Sequence, residues 1–282
     1  QLKFYAAETG QPHLAVDRAR SLTQRRPAEA LSWLAVARVS EDTAVQLEAL
    51  EHAIAIAPLS INAHTLKLDV LIAQERYDDA IAMLATTAWG ANLPATVRAR
   101  YARALHERGE PALAIEEMKR VLADDPNYYA GWEQLADWHG DRDELEPYLA
   151  ATREMMRIAP SDAIAIGYHA HALSRAEPKT DIRPLLRRAL ELKPDYLFPA
   201  LRLADMDLAD NKLDAAQAVL EAVSKHSQSA GILSRQIILA AAQGREGDWK
   251  NGFCELLFHP EYDADACNDA VAAVRKQNRL PG

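Results

Sequence analysis

Several residue types that mark other classes of protein are scarce in this chain of 282 residues. It contains only 11 glycines, 4 phenylalanines and 2 cysteines, and no stretch shows the alternation of Val, Ile, Thr and Tyr that is typical of a strand. No uncharged run approaches the ~20 residues that a membrane-spanning helix needs. These absences argue against a β-rich domain, and we expect no insertion into a membrane.

Motifs that carry chemistry are also missing. The sequence has no HExxH, GxSxG, GxxxxGK[ST] or GxGxxG pattern, which are the common signatures of zinc, acyl-transfer and nucleotide sites. His169 and His171 lie two residues apart, so on one helix they point to different sides and cannot share a metal ion. We therefore expect no catalytic residue, no metal site and no cofactor.

The two cysteines, Cys254 and Cys267, are thirteen residues apart near the C-terminal end. This spacing fits neither a metal site nor a disulfide framework. We interpret both as small buried apolar residues in a reducing compartment.

The chain is acidic, with a formal net charge of -9 at pH 7 and a pI near 5.5. An acidic surface repels a phosphate backbone, so we expect no nucleic acid partner.

The sequence begins Gln-Leu-Lys-Phe-Tyr, without a Met or a signal-peptide pattern. Residues 1–10 resemble the end of a helix, which suggests a segment of a longer polypeptide. We expect a cytoplasmic location, with the periplasm as the alternative if the segment was processed.

Alanine and leucine dominate what is present, and both favour helix. Proline recurs along the chain with gaps of 31, 36, 32, 34, 34 and 66 residues, the last being close to two periods; the positions are Pro27, Pro58, Pro94, Pro126, Pro160, Pro194 and Pro260. Ten residues after each of the first six prolines stand Ala37, Leu68, Ala104, Ala136, Ala170 and Ala204. A small residue at a fixed position is needed where two helices approach closely, so the period predicts stacked helix pairs.

The pattern resembles the tetratricopeptide repeat, a helix–turn–helix unit of 34 residues. The best matches are "PNYYAGWEQLADWHGD" from Pro126 and "PDYLFPALRLADMDLADNKLDAAQAVLEAV" from Pro194. The resemblance implies an all-α fold, a right-handed α-solenoid of six to seven stacked antiparallel helix pairs. Residues 1–230 form the repeat array, and residues 231–282 form a degenerate pair and a capping helix that continue it. That last helix is expected from Asp263 to Asn278, with Asp263 or Asp265 as its N-cap.

The same resemblance implies a role. First helices line a concave groove in this family, and partners bind there as extended peptides or helices. The expected partner is therefore a protein or peptide, with self-association left open, and the chain acts as a non-catalytic scaffold. The groove positions of the family fall on Arg38, Asn62, Thr65, Asp69, Arg98, Tyr101, Glu133, Asp137, His171 and Asp205, with Arg175 and Leu201 as additions. Both signs of charge occur among them, which favours a zwitterionic peptide.

Two alternatives stay open. Bacterial arrays of this family are often fused to glycosyltransferase, sulfotransferase or hydroxylase domains, so the chain could be the substrate-recognition arm of a larger enzyme. Related repeats also build the α-subunit of protein prenyltransferases, but only "NYYAGW" resembles their Trp-containing motif.

Overall fold

The computed structural model describes residues 12–90, 92–260 and 262–276, and within these ranges it contains sixteen α-helices and no strand. The expectation for residues 1–10 lies outside the described residues. The helices are α1 (Pro12–Arg25), α2 (Ala30–Val39), α3 (Thr43–Ile56), α4 (Ile61–Ala73), α5 (Tyr77–Ala85), α6 (Ala95–Glu107), α7 (Pro111–Asp124), α8 (Tyr129–Asp141), α9 (Leu145–Ile158), α10 (Ala163–Ala176), α11 (Arg183–Leu192), α12 (Leu197–Ala209), α13 (Leu213–Ser224), α14 (Ala230–Ala242), α15 (Glu246–Leu257) and α16 (Ala264–Lys276).

The chain divides into two compact units, residues 1–138 and residues 139–282. In unit 1 the helix pairs α2–α3, α4–α5 and α6–α7 pack within themselves, and α4 also packs on α6. In unit 2 the pairs α10–α11, α12–α13 and α14–α15 do the same, and α14 packs on both α12 and α16. Short turns join the helices of each pair, so the two helices run antiparallel. The different boundary predicted at residue 230, where α14 begins, stays a prediction.

The small-residue position predicted ten residues after each proline is in the core. All six residues there are at most 1% exposed, and in five of the six pairs the position is the eighth residue of the first helix. Helix α6 is the exception, because it begins one residue after its proline whereas the other first helices begin three residues after theirs. Its eighth residue is therefore Ala102, which is also fully buried. The sequence-based register is thus displaced by two residues along α6.

The spacing of proline and tryptophan has a local cause. The Trp33 indole N–H donates a hydrogen bond of 2.8 Å to the carbonyl oxygen of Pro27, and Trp132 donates one of 2.9 Å to Pro126. Each bond runs from the first turn of a first helix back to the loop before it, so it fixes the direction in which the chain enters the helix. The indole thereby satisfies one polar group of the loop.

In the register of the repeat, Gly109, Gly140 and Asn211 are predicted at the turns inside the helix pairs, and two of these three predictions are confirmed. Gly109 and Asn211 have φ of 95° and 57°, and this region favours residues with no or short polar side chains. The prediction for Gly140 is wrong, because α8 extends to Asp141 and the positive φ of 58° falls on Asp143. A Cβ atom at Gly140 would lie 3.6 Å from the ring of Tyr148, an ordinary contact distance, so neither the backbone nor the packing requires a glycine there.

The C-terminal helix begins as predicted. The Asp263 carboxylate accepts the backbone N–H groups of Asp265 and Ala266 at 2.9 and 3.3 Å, which confirms it as the N-cap of α16. The predicted end at Asn278 lies outside the described residues.

Both cysteines are free thiols, and Cys267 is half-buried, but the expectation that Cys254 is buried is wrong. Cys254 is exposed because α15 directs Trp249, Gly252 and Leu256 into the core instead.

Candidate functional site

In each unit the first helices of the pairs present a row of polar side chains on one surface, which we call the first-helix face of that unit. In unit 1 this face belongs to α2, α4, α6 and the first part of α8, and in unit 2 to α10, α12 and α14. The ninth residue of a first helix follows the buried eighth residue and is at least partly exposed. The ninth residues are Arg38, Asp69, Arg103, Asp137, His171 and Asp205, and on α14 the apolar Ile238. Burial at the eighth position and exposure at the ninth position orient every first helix in the same way.

Most of the sequence-predicted residues are placed on or near this row. Arg38, Asp69 and Asp137 are ninth residues in unit 1, and His171 and Asp205 are ninth residues in unit 2. The other partly or fully exposed members lie earlier on their helices: Asn62 and Thr65 on α4, Glu133 on α8 and Leu201 on α12, while Arg175 lies one turn later on α10. Their role in binding stays a prediction.

Arg98 and Tyr101 are the two that differ, because of the displaced register of α6. The Arg98 guanidinium donates to Asp124 of α7 at 2.7 Å and to the Leu93 carbonyl at 3.3 Å, so it is directed to the partner helix of its own pair. Its place on α6 is that of Trp33 on α2. Tyr101 is half-buried against the apolar core formed by α4, α5 and α6. The residue of α6 that joins the row is Arg103.

Two ion pairs connect neighbouring first helices in the same register. The ninth residue of α4, Asp69, accepts from Arg100 on α6 at 3.2 Å, and Asp205 on α12 accepts from Arg235 on α14 at 2.9 Å. Each arginine is the sixth residue of the following first helix. Pairs near the surface contribute only about 0–1 kcal/mol, but these two, which are partly buried, each neutralise a carboxylate on the face. Sequence reasoning missed both arginines, although separations of 31 and 30 residues, close to one repeat, mark them.

A cavity of about 160 Å³ opens in unit 1 between α6 and the start of α8. Its lining includes Asp69, Arg100, Arg103, Tyr128 and Gln134. The Arg103 side chain is exposed, and among the described residues no carboxylate forms an ion pair with it. The cavity therefore combines one neutralised carboxylate with one guanidinium that has no counter-ion.

In unit 2 the face is built around a histidine. The Nδ1 atom of His171 lies 2.9 Å from the Tyr148 hydroxyl, and its ring meets Phe198 edge-on at 5.4 Å between centroids. Arg175, one turn further along α10, donates to Asp143 at 2.6 Å and to the Gly140 carbonyl at 3.2 Å. Burial lowers the pKa of His171, and the nearby guanidinium groups lower it further. The imidazole is thus held neutral near pH 7.

Three histidines should make the stability of the chain depend on pH. Burial is the largest cause that lowers the pKa of His64, His169 and His171 in the folded chain. For His64 the hydrogen bond with the Ser60 backbone opposes the lowering of the pKa, and Lys67 adds a smaller lowering. Arg153, opposed by Glu177, lowers the pKa of His169 further. Arg175 and Arg202 do the same for His171. Below pH ~6.5 the unfolded chain therefore binds protons that the folded chain does not.

We expect the free energy of unfolding to fall as the pH is lowered from 7.5 to 5.5, by at most about 1.4 kcal/mol per pH unit for each histidine. Urea unfolding at several pH values measures this slope. The variant His169→Gln with His171→Gln should have a smaller slope, whereas His226→Gln, at an exposed position, should leave the slope unchanged. Equal slopes in all three proteins would contradict the assignment.

The described residues offer little for other chemistry. No group of three or more His, Cys, Asp or Glu side chains among them could hold a metal ion. Within the same residues, every helix is too short or too polar to cross a membrane.

Solved structures resemble this fold. The C-terminal part of a tetratricopeptide repeat protein from Cytophaga hutchinsonii matches with a TM-score of 0.61 and 13% identity, over 90% of this chain and 98% of that one. A tetratricopeptide repeat protein from Parabacteroides merdae matches at 0.54 and 13%, over 94% and 98%. PilF from Pseudomonas aeruginosa matches at 0.52 and 15%, over 93% and 96%. No protein-family model and no curated protein matches the sequence.

These comparisons concern the fold, because the identities are low. The chain has the all-helical fold of tetratricopeptide repeat solenoids, which the resemblance of its sequence to that repeat implied.

Proposed function

We propose that the chain is a non-catalytic scaffold whose first-helix face in unit 1 binds an extended segment of a protein partner. The observation that supports this proposal is the row of ninth residues, which presents charged side chains directly beside a buried stripe of alanine and leucine. A regular row of this kind matches an extended peptide, whose side chains also repeat at a fixed spacing. The tetratricopeptide fold supports the proposal, since solenoids expose such continuous surfaces.

The charge pattern supports a peptide ligand. The exposed ninth residues of α2 and α6 are arginines, and the carboxylate of Asp69 between them is paired with Arg100. Along α2, α4 and α6 the binding surface of unit 1 is thus more basic than the acidic chain as a whole, whereas α8 contributes the carboxylates of Glu133 and Asp137. Electrostatic complementarity of this kind sets specificity and association rate more than affinity.

A positional-scanning library of synthetic decapeptides tests the proposal on the full chain. The variant Arg38→Ala, Asn62→Ala, Gln134→Ala changes three polar residues of unit 1 that lie on first helices. The control variant Glu48→Ala, Lys119→Ala, Arg120→Ala changes three exposed or partly exposed polar residues on second helices. We expect the first variant to lower the affinity of selected peptides by about tenfold or more and the control to change it by less than about twofold. A library without binders, or equal binding by both variants, would refute the proposal.

The larger-enzyme alternative and the cytoplasmic or periplasmic location stay predictions. In that alternative the same face would hold the substrate of an attached catalytic domain, so the library experiment addresses the binding step in both cases. Exclusion of nucleic acid rests on the net charge alone, and self-association stays open.

A further inference from the structure

The cavity between α6 and α8 is the part of the first-helix face with the most specific chemistry. Its polar lining consists of Asp69, Arg100, Arg103 and Gln134, and its walls are formed by Ala99, Met118, Tyr128 and Ala130. All of these residues belong to unit 1. A guanidinium, an amide and an aromatic ring therefore converge on one small opening.

The size of the cavity restricts what can enter it. Sites for small organic ligands usually measure about 300–1,000 Å³, whereas this cavity measures about 160 Å³. It can accept one side chain of a larger molecule, but it is too small for a separate drug-sized ligand. This size agrees with a partner that lies along the face and inserts a single residue.

The charges select the type of side chain. The Asp69 carboxylate is matched by Arg100 at 3.2 Å, and together these two groups carry no net charge. Arg103 adds a full positive charge that no carboxylate of the described residues balances. A guanidinium presents a planar set of donors that fits a carboxylate in a bidentate manner, and the Gln134 amide offers further donors.

The walls suit the remainder of such a residue. Ala99 is buried and the Tyr128 ring is half-buried, so the methylene groups of an acidic side chain would contact apolar atoms. A Cβ atom at Gly131 would lie 2.8 Å from the Tyr128 ring. The missing side chain at Gly131 therefore lets the tyrosine lie close against α8 beside the opening.

We propose that this cavity binds an aspartate or glutamate side chain within the extended segment of the partner, through an ion pair with Arg103. The inference rests on the proposed function and adds the identity of one recognised residue. An acidic side chain is the committed ligand, and the carboxylate at a peptide terminus is an outcome that the test separates from it.

A double-mutant cycle tests the inference. Peptides selected from the decapeptide library are made with an amidated C-terminus. Each peptide is made in its original form and in variants in which one acidic residue is replaced by the corresponding amide, Asn for Asp or Gln for Glu. The full chain is compared with Arg103→Gln and with Arg120→Gln. Arg120 is an exposed arginine of α7 whose ion pair within the described ranges is with Glu117 of the same helix. Both replacements are at exposed sites, where the effect on stability is usually within about 0.5 kcal/mol.

For one acidic position, the change to amide should weaken binding to the wild-type chain and to Arg120→Gln by about tenfold, and to Arg103→Gln by less than about twofold. The variant Arg103→Glu should instead prefer lysine at that position.

Equal penalties in all three chains, or selected peptides without any acidic residue, would overturn the inference while leaving the proposed function intact. If amidation of the C-terminus abolishes the preference for an acidic residue, the cavity recognises the terminal carboxylate of a peptide. This outcome would also overturn the inference. If no peptide binds, the proposed function itself fails.

Discussion

Replacing Arg183 with methionine is expected to destabilise the folded chain by about 3–5 kcal/mol, because it leaves a buried carboxylate without a counter-ion. Asp207 on α12 is 1% exposed, and its Oδ1 atom lies 3.4 Å from Nε of Arg183 at the start of α11. The same guanidinium donates to Asp210 at 2.6 Å and to the Met206 carbonyl at 3.2 Å. One arginine thus joins the last turns of α12 to the preceding second helix.

The geometry of this group explains why the loss should be large. Nε of Arg183 and Oδ1 of Asp207 are within ion-pair distance, but they are not aligned for a hydrogen bond. The attraction therefore depends on charge in a water-poor place, and removing the cation leaves the desolvation cost of Asp207 uncompensated.

Urea unfolding of the full chain measures the effect, with Arg187→Met on the exposed side of α11 as the matched control. The control should change the free energy of unfolding by less than about 0.5 kcal/mol. The double variant Arg183→Met with Asp207→Leu should recover most of the stability, since replacing both members of a buried pair by apolar residues is often neutral. A loss below about 1 kcal/mol in Arg183→Met would show that Asp207 is not dependent on its arginine.

The parts of the fold that depend on one residue type at one spacing could be predicted from the sequence. Ala136, Ala170 and Ala204 mark the helix contacts because only a small side chain permits close approach there. The N-cap at Asp263 was equally predictable, since a short acidic side chain before a helix has few other roles.

Features that depend on where a helix starts or stops could not be predicted in the same way. The two extra residues between Pro58 and Pro94 were visible, yet nothing in the sequence showed that they displace the register of α6. As a result Arg98 was placed on the first-helix face instead of Arg103. The same reason underlies Gly140, because α8 continues past the glycine that was expected to end it.

Pairwise contacts between neighbouring repeats also could not be predicted from the sequence. Arg100 and Arg235 each pair with an aspartate in the preceding first helix, but a charged residue on a helix has many potential partners. Only the stacking of neighbouring first helices selects one of them. The candidate cavity depends on this selection, since the pairing of Asp69 is what leaves Arg103 as the unbalanced charge.

Substitutions at the eighth position of the first helices test what determines the separation of the two helices in a pair. Leu68 on α4 occupies the place that alanine holds in the other pairs, and it is fully buried together with Ala80 of the following helix. We expect Leu68→Ala to cost about 2–5 kcal/mol, because a cavity would replace the missing atoms. Leu59→Ala, at a position 60% exposed, is the control and should be nearly neutral.

The reverse change at the same position of α12 should also be unfavourable. Ala204 is fully buried with Ala216 and Leu220, so the core has no space for the three carbon atoms that Ala204→Leu would add. We expect this variant to cost about 1–3 kcal/mol through strain. Ala209→Leu, on the exposed end of α12, provides the control. Calorimetry or urea unfolding of the four variants distinguishes two mechanisms. If both core changes are costly, each pair has its own fixed helix separation; if both are neutral, the pairs adjust their separation to the side chain, and the eighth position does not determine it.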